Sequence, residues 1–382
     1  MMRVVFVTGS LSHGGAERHS ITVMNRLAER GHECHAVYIK GGADQLNRIR
    51  LRGSGTVRCL EATRYFDPRA LSNFAAHLSC IEPAVVVAAN AYALMYASIA
   101  LRLARRRTPL VVTYHSTRLL NMKERLQMMV YRLFFWTADC TVFVCNTQKR
   151  YWTRRCVFSP RNEVIHNGVD TVEFRDRWDA FGRMRLRDEL GFADADYVIG
   201  MLAVLRPEKN PIQLVEAVAA LRRNGIPARA LMIGDGEMRP QVEARARQLD
   251  VEREITITGF QSEIRPYVAA CDVVALCSHT ETFPLAAIEA MALGRPLVHA
   301  DVGGAGELIQ SGYNGLLFPA GDTGAFVREL ERLADRRAAA AMGREARITV
   351  ETRFSEKMMI DHYESVFATL CREPVARAPQ SG

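Results

Sequence analysis

The sequence predicts an α/β fold of two doubly wound domains, each a parallel sheet covered by helices on both faces. Short runs of β-branched residues alternate with helical stretches, and this alternation starts twice along the 382-residue chain. The strand runs are apolar throughout, which is typical of parallel strands buried on both faces. The chain is also longer than one ordinary hydrophobic core accommodates. We therefore expect two Rossmann-like domains with ligand sites beyond the carboxyl ends of their strands.

The first alternation defines an N-terminal domain, which we place at residues 1–175. Its predicted strands are Arg3–Thr8, Ala36–Ile39, Val85–Ala88, Leu110–Tyr114, Thr141–Val144 and Glu163–His166, and its predicted helices are Ala16–Arg30, Tyr92–Arg105 and Lys123–Trp136. The uncharged run Ala84–Leu101 reaches the lower length limit of a membrane span. Asn90 divides this run into a Val-rich and an Ala-rich half, which favours a buried strand followed by a helix.

The second alternation defines a C-terminal domain at residues 190–354. Between Thr171 and Asp196 the periodicity disappears, and we interpret this stretch as the connection between the domains. The predicted strands are Tyr197–Leu202, Ala230–Ile233, Glu254–Thr258, Val273–Cys277 and Pro296–His299, and the predicted helices are Pro211–Arg223, Met238–Leu249 and Pro284–Leu293. A last helix over residues 355–370 is expected to pack back onto the N-terminal domain, and a polar tail follows at 371–382.

Charge is distributed unevenly between the two halves. Residues 1–175 contain 25 Lys and Arg against 12 Asp and Glu, a balance of +13, whereas the remainder contains 25 against 30, a balance of −5. The basic half predicts an anionic partner, which could be a membrane surface, a nucleic acid or a phosphorylated substrate. A nucleic acid is disfavoured because the sequence has no interleaved aromatic and basic residues and no recognised nucleic-acid module.

The nine cysteines form no CxxC pair, and their odd number argues against a complete disulfide framework. Scattered cysteines in apolar runs are typical of reduced core residues in a cytoplasmic protein. The apolar start of the chain is too short for a signal peptide. No cluster of ligand residues suggests a metal, so we expect none.

Gly14 and Gly15 follow the first predicted strand and precede a helix. Paired glycines let a ligand approach the backbone closely, and the free N–H groups at a helix start favour phosphate. The spacing is not GxGxxG, so dinucleotide binding is not indicated. A tight strand-to-helix turn is an equally good explanation of these glycines.

Arg206 and Lys209 follow the first strand of the C-terminal domain. Two cations at a strand end suit a diphosphate, because fixed cations must stabilise a leaving diphosphate where no metal does so. Ordinary surface charges remain the alternative.

Glu281 lies in a strand-to-helix loop, and Glu289 lies in the helix that follows. An ionised carboxylate offers two acceptor oxygens and can therefore accept a pair of sugar hydroxyls. The pair alone would be uninformative in a chain with 42 acidic residues, so its meaning depends on the surrounding motifs.

Taken together, these motifs form a series that resembles the retaining glycosyltransferases of family 4, which have the GT-B fold of two Rossmann-like domains facing a central cleft. The resemblance covers nearly the whole chain. Its elements, in order, are Gly14-Gly15-Ala16-Glu17, Tyr114-His115, His166-Asn167-Gly168-Val169-Asp170, Arg206-Pro207-Glu208-Lys209-Asn210, Ile233-Gly234-Asp235-Gly236, Thr258-Gly259-Phe260, the pair Glu281 and Glu289, Gly303-Gly304, Glu307-Leu308-Ile309 and Asn314-Gly315-Leu316.

The resemblance implies roles for the candidate residues of the C-terminal domain. Glu289 would hold the ribose of a nucleotide sugar donor, and Glu281 would bind a hydroxyl of the transferred sugar. Lys209 would neutralise the leaving phosphates. The backbone amides around Phe283, Pro284 and Leu285 would face the sugar and the diphosphate.

In the N-terminal domain, the resemblance places Gly15, beside Gly14, close to the donor. His115 would lie near the anomeric carbon, although a histidine that merely caps a strand end remains the alternative. One departure concerns Val204, because many family members carry an arginine at this position, five residues before the lysine. Arg206 could supply the second cation instead.

The resemblance thus implies a retaining, metal-independent hexosyltransferase that needs no cofactor and uses a UDP- or GDP-linked sugar as co-substrate. We expect the acceptor to be a lipid-linked or membrane-proximal glycan in polysaccharide, lipopolysaccharide or glycolipid synthesis. A sugar-nucleotide epimerase of the same fold and a basic nucleic-acid-binding protein remain alternatives. The sequence does not identify the nucleotide, the sugar, the acceptor or the oligomeric state.

We also expect the N-terminal domain to work at an anionic membrane surface, peripherally on the inner face of the cell membrane. Four arginines close one predicted helix: Arg102, Arg105, Arg106 and Arg107. Basic residues then punctuate an apolar run: Arg118, Lys123, Arg125 and Arg132 lie among Leu119, Leu120, Met122, Leu126, Met128, Met129, Val130, Leu133, Phe134, Phe135 and Trp136. The alternative is a solvated basic face whose apolar residues belong to the core.

Overall fold

The computed structural model describes residues 1–12, 14–116 and 122–372, and the chain folds into two compact units. The N-terminal unit comprises Met1–His166 and the segment from Met359 onward, and the C-terminal unit comprises Asn167–Met358. Each unit is built on one parallel sheet with helices between its strands. The prediction of two Rossmann-like, doubly wound domains is confirmed.

The N-terminal sheet has seven strands in the order β3-β2-β1-β4-β5-β6-β7. Its elements are β1 (Arg3–Thr8), α1 (Gly15–Glu29), β2 (Glu33–Tyr38), β3 (Val57–Cys59), α2 (Pro68–Ile81), β4 (Val85–Ala89), α3 (Asn90–Leu103), β5 (Leu110–Tyr114), α4 (Met122–Phe135), β6 (Cys140–Phe143), α5 (Asn146–Thr153) and β7 (Arg161–Val164). The uncharged run Ala84–Leu101 thus forms a strand and a helix, as its sequence predicts.

The C-terminal sheet has six strands in the order β10-β9-β8-β11-β12-β13. Its unit contains α6 (Ala180–Glu189), β8 (Tyr197–Leu202), α7 (Pro211–Arg223), β9 (Ala228–Ile233), α8 (Arg239–Gln248), β10 (Ile255–Ile257), α9 (Arg265–Ala270), β11 (Val273–Leu276), α10 (Leu285–Ala292), β12 (Leu297–Ala300), α11 (Ala305–Leu308), β13 (Leu316–Phe318), α12 (Thr323–Arg332) and α13 (Arg336–Arg353). A final helix, α14 (Glu356–Arg372), leads into the N-terminal unit.

Alternate side chains of β1 enter two different cores. Val5 and Val7 pack with α2, α3 and α4, whereas Val4 and Phe6 pack with α1 and α14. Because successive side chains of a strand point to opposite faces, a strand that is apolar at every position can serve both layers. This explains why the strand runs of the sequence do not alternate in polarity.

Helix α14 covers one face of the N-terminal sheet. Tyr363 and Phe367 are fully buried there. At the rim, Arg30 of α1 pairs with Asp361 at 2.7 Å and with Glu364 at 2.5 Å. Residues 373–382, most of the predicted polar tail, lie outside the described residues.

The stretch from Thr171 to Asp196, interpreted above as a connection without regular structure, contains helix α6. Asp179 caps it by accepting a hydrogen bond from the N–H of Gly182 at 2.7 Å. Arg187 at its C-terminal end pairs with Asp272 at 3.2 Å. The helix has no strong apolar stripe of its own, so the hydrophobic periodicity of the sequence does not predict it. Its cap and its ion pair with Asp272 stabilise it instead. Several further elements also lie outside the predicted set, namely helices α2, α5, α9, α11, α12 and α13 and strands β3 and β13.

Two features of the fold bear on function. All paired strands of each sheet are parallel, so their carboxyl ends share one edge, and the loops that leave it can bring distant residues together. Among the described helices, none is both long enough and apolar enough to cross a membrane.

Candidate functional site

The carboxyl edge of the C-terminal sheet is built from loops that pack backbone against backbone. Gly234, after β9, has a φ of +147°, and a Cβ there would collide with the carbonyl oxygen of Ala203, after β8. A Cβ on Gly236 would likewise collide with the backbone of Leu205. The N–H of Leu205 donates to the carbonyl of Asp235 at 2.9 Å. These glycines therefore fix the loop after β8 against the loop after β9.

The same loop is tied to its neighbour on the other side. The N–H of His279, after β11, donates to the carbonyl of Glu208 at 2.8 Å. Gly303, after β12, has a φ of +59°, and a Cβ there would collide with the carbonyl oxygen of Glu281. The N–H of Gly304 donates to the carbonyl of Thr282 at 2.8 Å. Four successive loops are thus joined into one surface.

Lys209 and Glu281 meet on this surface, although 72 residues separate them. The Lys209 Nζ donates to Glu281 Oε1 at 2.5 Å, and the Ser278 hydroxyl donates to the same oxygen at 2.8 Å. The Lys209 side chain is 26% exposed and that of Glu281 is 9% exposed. An ammonium has three N–H donors, so Lys209 can bind Glu281 and an anion at the same time.

Helix α10 starts directly behind Glu281 and contains Glu289. The Glu289 side chain is buried, at 3% exposure. Leu285 is the first helical residue, and Pro284 before it has no N–H. Of the three residues Phe283, Pro284 and Leu285, only the first and the last can therefore offer a backbone amide to a ligand.

Phe283 has a structural role in addition to its predicted one. Its ring is buried and packs against Phe354 with a centroid distance of 5.4 Å. Its carbonyl accepts a hydrogen bond from the Asn167 Nδ2 at 2.6 Å. These contacts fix the start of α10.

Arg206 is not brought to the Lys209–Glu281 pair by any contact that we observe among the described residues. Its side chain is 55% exposed and lies 3.9 Å from Glu208. Val204, in the position where the resembling family often has arginine, is 51% exposed. That Arg206 compensates for Val204 stays a prediction.

His115 lies at the carboxyl end of β5 in the N-terminal unit. Its backbone N–H donates to the Oδ1 of Asn90 at 2.9 Å, and its ring meets that of His19 at a centroid distance of 4.8 Å. His19 in turn lies 2.9 Å from the Tyr363 hydroxyl of α14. Burial, with a smaller contribution from His19, lowers the pKa of His115 well below its usual value. The imidazole is therefore neutral at pH 7, and a neutral ring has one nitrogen that donates a hydrogen bond and one that accepts.

Gly14 and Gly15 are exposed at the start of α1. A Cβ on Gly14 would meet the carboxylate of Glu17, which is partly buried and whose pKa is raised by that burial. A Cβ on Gly15 would meet nothing within 4 Å among the described residues. Packing of the protein itself therefore gives no reason for glycine at position 15, whereas close approach of a ligand would.

The sequence did not single out His299, which lies behind the Lys209–Glu281 pair on β12. It is fully buried, its Nδ1 hydrogen-bonds the carbonyl of Ala300 at 2.6 Å, and its Nε2 has no partner among the described residues. Burial lowers its pKa, an effect opposed by the charge of Glu281 and reinforced by that of Lys209. A histidine inside an apolar strand is the one signal that could have drawn attention to it.

No group of three or more His, Cys, Asp and Glu residues is arranged to hold a metal ion within the ranges 1–12, 14–116 and 122–372.

Comparison with known families matches the two halves of the chain separately. Residues 13–173 match the family described as Glycosyltransferase Family 4, and residues 183–349 match Glycosyl transferases group 1. The chain is 28% identical over 279 residues to UDP-Gal:alpha-D-GlcNAc-diphosphoundecaprenol alpha-1,3-galactosyltransferase of Escherichia coli, covering 70% of this chain and 71% of that protein. It is also 28% identical over 372 residues to the lipopolysaccharide core biosynthesis glycosyltransferase LpsE of Rhizobium meliloti, covering 93% and 96%.

Some other curated relatives match over a shorter stretch, and the chain spans only about half of their length (55% and 54%). Among solved structures, Anabaena HepE in complex with UDP-glucose superimposes with a TM-score of 0.83 at 23% identity, covering 97% of this chain and all of that one. At this level of identity the likeness shows a common fold.

His299 yields a prediction about stability and pH. Its pKa is lowered in the folded state, so below the unfolded value of 6.5 the unfolded chain binds a proton that the folded chain does not. The stability that His299 contributes is therefore complete above pH 6.5 and is lost as the pH falls toward the folded pKa, by at most about 1.4 kcal/mol per pH unit. We expect His299→Gln to lose less stability than the wild type between pH 7.5 and 5.5 in urea unfolding. His362→Gln, at an exposed position of α14, is the control and should follow the wild type. Parallel curves for all three proteins would contradict the prediction.

Proposed function

The chain belongs to the family 4 glycosyltransferases of the GT-B fold, and from this premise we propose that it transfers a hexosyl group from a UDP- or GDP-linked sugar to an acceptor hydroxyl with retention of anomeric configuration. The observation that carries the proposal is the Lys209–Glu281 pair, held at 2.5 Å where a strand-end loop meets the start of α10. A fixed cation beside a carboxylate matches a donor that has both a diphosphate and sugar hydroxyls. The solved HepE complex with UDP-glucose, which has the same fold, supports this donor class.

In this proposal Lys209 stabilises the leaving diphosphate. Its ammonium is already oriented by Glu281, so little reorganisation is needed as negative charge grows on the phosphates. The amides of Phe283 and Leu285 would add donors at the same place. The proposed transfer uses no metal, because the side chain of Lys209 supplies the positive charge.

The two glutamates would contact different parts of the donor. Glu281 has its Oε1 occupied by Lys209 and Ser278, so its other oxygen is the one available to a hydroxyl of the transferred sugar. Glu289, which lies about one turn after the start of α10, would hold the ribose hydroxyls. Both carboxylates are buried, and a hydrogen bond from a hydroxyl to a charged carboxylate is strong in such a position.

His115 and Gly15 are the proposed contributions of the N-terminal unit. A neutral His115 can hydrogen-bond a sugar hydroxyl near the anomeric carbon without acting as a strong base. No side chain is assigned as nucleophile, and the leaving phosphate would take the proton of the acceptor hydroxyl. Gly15 leaves the backbone at the start of α1 open to the donor.

The proposed acceptor is a lipid-linked or membrane-proximal glycan, which the enzyme would reach as a peripheral protein on an anionic membrane. The excess of 13 positive charges in residues 1–175 supports this location. The names of two relatives add support, because one denotes a diphosphoundecaprenol-linked acceptor and the other lipopolysaccharide core synthesis.

The reaction is tested by incubating the protein with UDP-glucose, UDP-galactose, UDP-N-acetylglucosamine and GDP-mannose, with and without bacterial lipid extract. We expect one donor to release nucleoside diphosphate in a lipid-dependent manner, to give an α-linked product, and to do so unchanged in EDTA. Release of free epimerised sugar nucleotide without lipid would favour an epimerase. Loss of turnover in EDTA, restored by Mg²⁺ or Mn²⁺, would contradict metal independence.

Lys209→Ala should lower kcat by about two orders of magnitude, with a smaller effect on KM, because leaving-group charge is largest in the transition state. Arg206→Ala should cost less, since its side chain is 55% exposed and lies against Glu208. Arg223→Ala, an exposed arginine of α7, is the matched control and should retain wild-type kcat. Near-normal kcat for Lys209→Ala would remove this lysine from the site.

Glu289→Ala and Glu281→Ala should have different kinetic effects. Ribose contacts are similar in the ground and transition states, so Glu289→Ala should mainly raise KM and the dissociation constant of the donor. Glu281→Ala should mainly lower kcat, because it lies close to the reacting sugar and orients Lys209. Steady-state kinetics with donor titration distinguish these outcomes, and reversed effects would show that the two roles are exchanged.

A further inference from the structure

Helix α4 carries apolar side chains on two opposite faces. Its inner face contributes to the core of the N-terminal unit, where Met128 and Phe135 are buried. Tyr131 and Phe134 are partly buried against the same core. For these residues, the apolar run of the sequence is explained by folding.

Six further apolar residues of this segment are exposed, and we call them the outer face of α4. They are Met122 (74% exposed), Leu126 (66%), Met129 (59%), Val130 (57%), Leu133 (56%) and Trp136 (50%). Their spacing of three and four residues places them on one side of a helix. Trp136 continues the last turn, since its N–H donates to the carbonyl of Arg132 at 3.3 Å. Arg118, Leu119 and Leu120 lie outside the described residues.

Within the part of the chain that the structure describes, the outer face remains exposed and joins no hydrophobic core. Single exposed apolar residues are ordinary, but a contiguous row of them indicates an interaction surface. Because the inner face already satisfies the core, replacing the outer residues by polar ones would cost the fold little. Their presence therefore calls for a partner outside this chain.

Exposed arginines lie on α4 itself and directly after the neighbouring helix α3. Arg125 of α4 is exposed. Strands β4 and β5 are parallel neighbours, so α3 and α4, which follow them and pack together, run in the same direction. The end of α3 therefore lies near the end of α4, and exposed Arg105 and Arg107 follow it.

Size and charge favour a lipid surface as the partner. A helix of 14 residues is about 21 Å long and about 10 Å wide, so one face offers about 200 Å². A stable protein interface needs about 800 Å² on each partner. A second copy of this chain would also bring two basic faces together, whereas a bilayer with anionic lipids offers both apolar depth and opposite charge.

We infer that the outer face of α4 inserts into the surface of an anionic bilayer, with the neighbouring arginines bound to lipid phosphates. This inference rests on the proposed function in one respect, namely that a lipid-linked acceptor gives the enzyme a reason to bind there. Membrane binding would then have two components. Salt weakens the electrostatic component but does not weaken the apolar component that insertion adds. Trp136 lies at the end of the helix, where an indole ring suits the boundary between headgroups and acyl chains.

The test is sedimentation of the full chain with phosphatidylcholine vesicles, with and without phosphatidylglycerol, at low and high KCl. Wild type should bind best to the phosphatidylglycerol vesicles and keep part of that binding at high salt. Leu126→Gln/Leu133→Gln should weaken partitioning by about tenfold or more. Phe181→Gln/Met184→Gln, which removes two exposed apolar residues from α6, is the matched control and should bind as wild type. Arg105→Gln/Arg125→Gln should lose the preference for phosphatidylglycerol and keep the binding that resists salt.

Fluorescence of Trp136 gives an independent measure of insertion. Its emission should shift to the blue on vesicle binding in the wild type. Trp136→Phe should abolish the shift, because Trp152 is already buried and Trp178, the third tryptophan, belongs to the C-terminal unit and not to α4. Complete release by salt without a blue shift would leave only electrostatic attachment and overturn insertion. Unchanged partitioning of Leu126→Gln/Leu133→Gln would also overturn it. If the wild type does not bind vesicles but self-associates, and Leu126→Gln/Leu133→Gln abolishes this self-association, the outer face would be assigned to a second copy of the chain.

Donor turnover separates this inference from the proposed function. Binding of the nucleotide sugar, measured as a thermal shift in the absence of vesicles, should be the same in wild type and in Leu126→Gln/Leu133→Gln. Vesicle binding without turnover of any donor would contradict the glycosyltransfer proposal alone. Turnover without vesicle binding would contradict the insertion of α4 alone.

Discussion

The ion pair between Lys209 and Glu281 is the interaction on which the C-terminal site depends. A carboxylate that is 9% exposed requires a partner, since an isolated charge in that position would be strongly unfavourable. The pair forms because the loops after β8 and β11 are tied by the His279 to Glu208 hydrogen bond. Gly303 then lets the loop after β12 pack on the carbonyl of Glu281, so the carboxylate is fixed from two sides.

The glycines of the family motifs serve two different purposes, which the structure separates. Gly234 and Gly303 have positive φ and would collide with neighbouring carbonyls if they carried a Cβ, so the fold itself requires them. A Cβ on Gly15 would meet no described residue within 4 Å, so no described packing contact requires glycine there. In sequence all three are simply glycines after strands. The difference depends on what lies opposite, which only the folded chain reveals.

The same reasoning explains how much of the molecule could be predicted from its sequence. Strands Arg3–Thr8, Leu110–Tyr114 and Tyr197–Leu202 were predicted to the residue, because a β-branched run between polar turns is a local signal. Helix α6 was missed because it has no strong apolar stripe and because its ion pair with Asp272 is a tertiary contact. His299 was missed because the sequence of its strand does not show that the residue is buried next to Lys209 and Glu281. Likewise, motifs supplied Lys209 and Glu281 separately, but their contact across 72 residues required the sheet order.

In the proposed insertion, the two apolar faces of helix α4 meet two different environments, the protein core and the bilayer. Its inner residues must match the shape of the core, so changes at Met128 or Phe135 would create cavities and lower stability. Its outer residues meet no such constraint, and a bilayer accepts any sufficiently apolar side chain. The two faces should therefore tolerate different substitutions. The inner face should be sensitive to changes of shape, and the outer face should be sensitive only to changes of polarity. The arginines act over about 8 Å in physiological salt, whereas the apolar side chains act only on contact. Charge would therefore bring the helix to the surface, and insertion would hold it there.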